Sequence, residues 1–193
     1  MSEPGHTRDE TSMTTAMLKA YAHPLRRRIV RLIGRREFLR AADIAEELDV
    51  PANSASFHLR VLAEAGLIVE APEKARDRRD RVWTTKKGMQ SVGSPENPLE
   101  DEALGNVVIS GFAEDHRDLV QRVLAWAPEY VTGRDTTTRA VFEQRGLRLT
   151  SAEFEDVMDK IHAVLDAATE AHDAGGGEGR HWQVDIVAAD ETI

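Results

Sequence analysis

The chain has 193 residues, 41% of them hydrophobic and 31% charged, with no cysteine. That composition suits a soluble globular protein with one large domain or two small ones, and it excludes disulfides and thiolate metal sites. A net charge of −9 seems to argue against a nucleic-acid partner, but the charge is segregated: residues 15–88 hold 16 Lys and Arg against 10 Asp and Glu, a net of +6, and the rest holds 9 against 24, a net of −15.

A basic half joined to an acidic half is expected where only one half meets phosphate, although ordinary surface charge can also be spread unevenly. In chain order, residues 1–14 are polar and lack the apolar stretch of a signal peptide, so a disordered tail is expected there. No apolar run approaches the roughly 18 residues that span a bilayer, so a cytoplasmic protein without a membrane partner is expected. Leu18, Tyr21 and Ala22 give a short helix face. Pro24 then suits the first turn of a second helix, because the N–H it lacks would have no partner there. That helix carries Leu25, Ile29, Leu32 and Ile33 on one side and turns Arg26, Arg27, Arg28 and Arg31 to solvent. A short helix at 41–48 follows, then a tight connection at Asp49 and Val50, then a helix from Pro51 to about Ala65 stopped by Gly66. Two β-prone stretches, 67–71 and 81–85, flank the charged segment EKARDRRD. Helix, helix, turn, helix, hairpin is the order of a winged helix-turn-helix, here a DNA-binding domain over 15–88.

On the helix from Pro51 to Ala65, a rotation of 100° per residue puts Ala55, Leu59 and Leu62 on one face, towards a core. Asn53, Ser56, Phe57 and Arg60 fall opposite, with Ser54 and His58 on the flank. Short polar groups near a helix N-terminus let it approach base edges in the major groove, and an arginine reaches base or phosphate. The helix N-terminus itself attracts phosphate. An ordinary amphipathic surface helix would show the same pattern. The hairpin adds Lys74, Arg76, Arg78, Arg79 and Arg81 within eight residues, a wing suited to phosphate or the minor groove.

The segments AYAHPLRRRIVRLI, DIAEELDVPANSASFHLRVLAEAGLIVE and VWTTKKG resemble the ArsR-type winged helix-turn-helix, in its cysteine-free bacterial branch, over about 70 residues. The resemblance implies a homodimeric repressor on a palindromic double-stranded operator, with the helix at 51–65 as the reader. Ala52 and Phe57 depart from the residues common in relatives, which leaves the operator sequence open. The zinc-sensing pattern of that family is not met, since Asp159 is displaced by one residue and only nine residues separate His162 from His172. No metal and no cofactor are expected.

The Gly-, Ser- and Pro-rich stretch at 89–98 reads as a linker. Beyond it, 99–193 is expected to be a mainly helical dimerisation or effector region. One helix runs from Pro98 to Ala127 and is ended by Pro128. A second starts at the capping-box sequence Thr150-Ser151-Ala152-Glu153, with a stripe of Phe154, Val157, Met158, Ile161, Val164, Leu165 and Ala168. Alternation of Trp182, Val184 and Ile186 with polar residues predicts a strand. Trp126, Tyr130, Phe142, Phe154 and Trp182 are expected in a core or dimer interface, or lining a pocket for a small-molecule effector. Leu18, Tyr21 and the acidic-half helices would hold the dimer. The fold class is thus mainly α with a small β-hairpin wing. The function is sequence-specific transcriptional regulation, with a winged-helix protein-interaction module lacking DNA binding as the alternative. With no Gly-rich phosphate loop, HExxH or G-x-S-x-G, no enzyme is expected.

Overall fold

The computed structural model describes residues 11–77, 80–86, 90–93, 98–176 and 179–193. They form two compact units, one ending at Asp118 and the other spanning Leu119–Ile193.

The first unit is a winged helix-turn-helix. Its elements run β1 (Thr11–Ser12), α1 (Thr15–Tyr21), α2 (Pro24–Arg36), β2 (Leu39–Arg40), α3 (Ala41–Leu48), α4 (Ala52–Glu64), β3 (Ile68–Glu70), β4 (Val82–Thr85), β5 (Gln90–Ser91) and the first turns of α5 (Glu102–Val131). Local chemistry sets most of the boundaries. The Thr14 hydroxyl accepts the Met17 N–H and caps α1, and Pro24 opens α2 behind His23. Between α3 and α4, Asp49 takes a left-handed conformation at φ 52°, and the Val50 N–H returns to the Ala45 carbonyl at 3.0 Å. Gly66, at φ 78°, ends α4 by sending its N–H to Ala63 while the Leu67 N–H bonds Leu62. A side chain at that φ is strained, which is why glycine stands there.

One core joins these elements. Ile29, Ile33, Ile44, Ala55 and Leu62 are fully buried, with Leu32, Leu59 and Ile68 nearly so. Leu18 and Tyr21 of α1 belong to this core, so they are used within the chain rather than offered to a dimer partner. The sheet has three strands in the order β2-β4-β3. Antiparallel β4 is paired on one side through Leu39 opposite Trp83, and on the other through Val69 opposite Thr84. The sequence showed only the β3–β4 hairpin, because β2 is two residues long and exists only through its bonds to β4.

Three expectations about this unit are corrected. Residues 11–14 are not a tail: Thr11–Ser12 pair in parallel with Gln90–Ser91, Met13 is buried and Thr14 is a cap; residues 1–10 lie outside the described set. The unit also does not end at the 89–98 linker, of which 89 and 94–97 lie outside the described residues. Val108 of α5 is fully buried in the same core, and Leu99 and Leu104 pack against it. Finally, Arg27 does not face solvent. It is 7% exposed, its Nη1 donating to the Ala22 carbonyl at 3.1 Å and its Nη2 to Glu114 Oε2 at 2.8 Å. Gly111 makes the space, since a Cβ there would lie 2.7 Å from Arg27 Cζ. Beside it Arg31 is paired with Asp115. Burial pushes the Asp115 carboxyl above its ordinary pKa in spite of that pair, so desolvation outweighs the attraction of Arg31 and Arg27.

The second unit holds the rest of α5 and α6 (Ser151–Gly175). Thr150 and Glu153 form the expected capping box, with the Thr150 N–H on Glu153 Oε2 at 2.8 Å. Pro128 lies inside α5 rather than ending it, and the chain turns only at Gly133, at φ 73°. The strand expected around Trp182 is absent among the described residues, where 179–193 is irregular. Alternation makes a strand only beside another strand, and the described strands all lie in the first unit. No described residue of the second unit is buried. Trp126 stacks on Tyr130 with centroids 4.9 Å apart, but Tyr130, Phe142, Phe154 and Trp182 are all exposed, so these aromatics form no core within the chain. No described helix is long and apolar enough to cross a membrane.

Candidate nucleic-acid interface

The candidate interface is centred on α4. Ala55, His58, Leu59 and Leu62 are buried and fix the helix to α1, α2 and α3. The opposite face is open: Asn53, Phe57 and Arg60 are exposed and Ser54 and Ser56 half-buried. At its N-terminus Pro51 occupies the cap position and gives no side-chain acceptor. The first-turn donors of a helix have no carbonyl partners within it. Here only the Ser54 N–H is taken, by Asn53 Oδ1 at 2.8 Å. Such an end, with its partial positive charge, suits a phosphate.

His58 departs from the predicted flank position. Its side chain is 9% exposed, and its ring stacks against His23 with centroids 4.8 Å apart. Its Nδ1 is buried without a hydrogen-bond partner. His23 in turn uses Nδ1 to accept the Leu25 N–H at 3.2 Å, which caps α2. Both rings have their pKa lowered below the ordinary imidazole value. Burial is the larger cause for each, with the charge of Arg26 adding to it and the neighbouring His23 acting on His58. His58 therefore positions α4 on the start of α2 and is not placed to touch a base. The spacing carried the signal: His58 lies three residues after buried Ala55 and four before buried Leu62.

The wing lies between β3 and β4. A single 3-10 turn at Pro72–Lys74 begins it. Lys74 is exposed, with its Nζ 4.7 Å from the centroid of Phe38, a contact that orients the amine without neutralising it. Arg76 is exposed, and its backbone N–H bonds Asp80 Oδ2 at 3.3 Å. Arg81 lies over the Trp83 ring at 4.6 Å and donates from Nε to Glu70 Oε1 at 2.6 Å. Its charge is therefore partly spent inside the protein. Arg78 and Arg79 lie outside the described residues. Of the residues predicted to touch DNA, Asn53, Ser54, Ser56, Phe57 and Arg60 share one open helix face. Lys74, Arg76 and Arg81 belong to the wing, and among the described ones His58 alone is withdrawn. Among the described residues no cluster of three or more His, Asp or Glu is arranged to hold a metal ion.

Residues 21–71 match the helix-turn-helix domain family, a stretch running from the end of α1 to the residue after β3. No curated protein sequence matches. Among solved structures, the chain is similar to the YusO protein of Bacillus subtilis, at 16% identity over 82% of each chain and a TM-score of 0.35. It is also similar to a possible transcriptional regulator for arsenical resistance, at 24% identity over 58% of this chain and 96% of that one, with a TM-score of 0.33. A Staphylococcus aureus MepR mutant bound to an oligodeoxyribonucleotide matches at 17% identity, over 77% of this chain and 78% of the other, with a TM-score of 0.30.

Proposed function

We propose that this protein is a cytoplasmic, sequence-specific transcriptional regulator of the ArsR type, a homodimeric repressor that reads a palindromic operator through α4 and grips its backbone through the wing. The observation that carries this reading is the open face of α4. A helix-turn-helix presents Asn53, Ser56, Phe57 and Arg60 away from the core, beyond an N-terminus that no side chain caps. Base edges require short donors and acceptors at that end of the helix, and phosphates require the exposed cations of the wing. The net charge of +6 over 15–88 supports the same partner. A homodimer is supported by α6, whose apolar residues Phe154, Ile161 and Leu165 stay exposed in the single chain; a second copy of an amphipathic helix would cover them.

The test is a titration of Asn53→Ala and Ser56→Ala against the selected operator and a scrambled duplex at one salt concentration, with light scattering for the oligomeric state. Each substitution is expected to cost roughly 1–3 kcal/mol on the operator and nearly nothing on scrambled DNA. Full operator preference in both variants would remove α4 as the reader, and a monomer both free and on DNA would remove the dimer.

A further inference from the structure

The hydrogen-bonding groups on the face of α4 are partly committed inside the helix, and that commitment decides what the face can read. The Ser56 hydroxyl donates its proton to the Ala52 carbonyl at 2.9 Å, so Ser56 retains only its acceptor lone pairs. Asn53 Oδ1 accepts the Ser54 N–H, which takes one of that oxygen's two lone pairs and leaves the other, with both amide N–H donors, for a base edge. Arg60 Nε leans on the Ser56 carbonyl at 3.4 Å, which keeps the guanidinium on the same face. Within this polar set stands one large apolar group. The Phe57 side chain is 53% exposed. Its ring is set edge-on against His58, with centroids 5.3 Å apart and planes at 72°, and His58 is itself fixed between the core and His23. Phe57 is therefore a buttressed apolar plate, rather than a loose surface side chain.

A major groove offers such a plate one apolar partner, the C5-methyl group of thymine. We infer that Phe57 is a specificity-determining residue that selects thymine in each operator half-site by packing on its 5-methyl group. The inference rests on the DNA-reading role proposed above and goes further, because it names the base and the atom recognised. The occupant follows from the surroundings. Asn53, Ser54, Ser56 and Arg60 bring donors, acceptors and a cation to the open side of the helix beside Phe57, which fits a groove lined with polar base edges better than an apolar protein surface.

The experiment begins with selection of the operator from random duplex DNA by the full chain. Each thymine of a half-site is then replaced singly by deoxyuridine, which removes only the methyl group, and affinity is read by fluorescence anisotropy at fixed salt. One thymine per half-site is expected to lose about fourfold in affinity, the weight of one buried methyl group. The same replacement is expected to leave Phe57→Ala unchanged, while Phe57→Leu retains part of the methyl effect. Melting curves confirm that both variants fold. Enrichment of an operator whose thymines all tolerate uracil overturns this inference and leaves the DNA-reading role standing; so does a methyl effect that persists in Phe57→Ala. Failure to enrich any sequence overturns the DNA-reading role, and this inference with it.

Discussion

Substituting Gly111 by alanine sets two effects of opposite sign against each other. Mid-helix glycine is less favourable than alanine by about 0.8–1 kcal/mol, so on propensity alone Gly111→Ala should stabilise the protein. The added Cβ would, however, lie 2.7 Å from both Cζ and Nε of Arg27 and 2.9 Å from its Cδ. The Arg27 side chain must then move out of its slot. Its charged hydrogen bond to the Ala22 carbonyl is worth about 1.5–3 kcal/mol. The ion pair to Glu114, 58% exposed, adds under ~1 kcal/mol. The losses exceed the gain, and Gly111→Ala is expected to destabilise by roughly 1–2 kcal/mol. In an Arg27→Ala background the obstruction is gone, and the same substitution should stabilise by about 1 kcal/mol. Urea denaturation of the four proteins, followed by circular dichroism at one protein concentration, completes the cycle. Stabilisation by Gly111→Ala in the wild-type background would refute the tight seat for Arg27.

Removing the exposed wing cations with Lys74→Ala and Arg76→Ala should weaken binding to all duplexes about equally. It should lower the log–log salt slope by about 0.9 for each phosphate that is no longer neutralised. An unchanged slope, in this pair and in Arg78→Ala with Arg79→Ala, means that the wing does not meet the backbone. Acid should loosen the seat of α4. His58 and His23 have folded pKa values below the ordinary 6.5, so the folded state binds fewer protons than the unfolded one. Their stabilisation is complete above pH 6.5, declines as the pH falls through the folded values, and levels off below them. Denaturation between about pH 7.5 and 5.5 should show that decline, flattened in His58→Phe; a wild-type stability constant over the range contradicts it.

What is legible in the sequence is local. Pro24, the Thr150–Glu153 capping box and the left-handed Gly66 each act within a turn of their own residue, and the corresponding helix ends lie within a residue or so of those expected. What the sequence hides depends on partners far along the chain. Arg27 reads as one of three consecutive arginines, and only Gly111 and Glu114, more than 80 residues later, make its burial possible. The apolar alternation around Trp182 promises a strand but has no neighbouring strand among the described residues to pair with. Pro128 reads as a stop, yet α5 continues through it to Val131. On α4 the open face is legible from the 3.6-residue period. His58 is misplaced when its polarity is given more weight than its spacing from Ala55 and Leu62.

The parallel pairing of Thr11–Ser12 with Gln90–Ser91 also governs how the helix-turn-helix segment between them bears load. Paired strands lie about 4.8 Å apart, so the two ends of the segment from Thr11 to Ser91 sit side by side. Because the strands run the same way, the chain before Thr11 and the chain after Ser91 leave from opposite ends of the pair. Tension between those two ends therefore acts along the strands and strains their hydrogen bonds together, in shear. An antiparallel closure would peel open one bond at a time under the same pull. The clasp is short, but it is oriented to resist being drawn apart by the segments it joins.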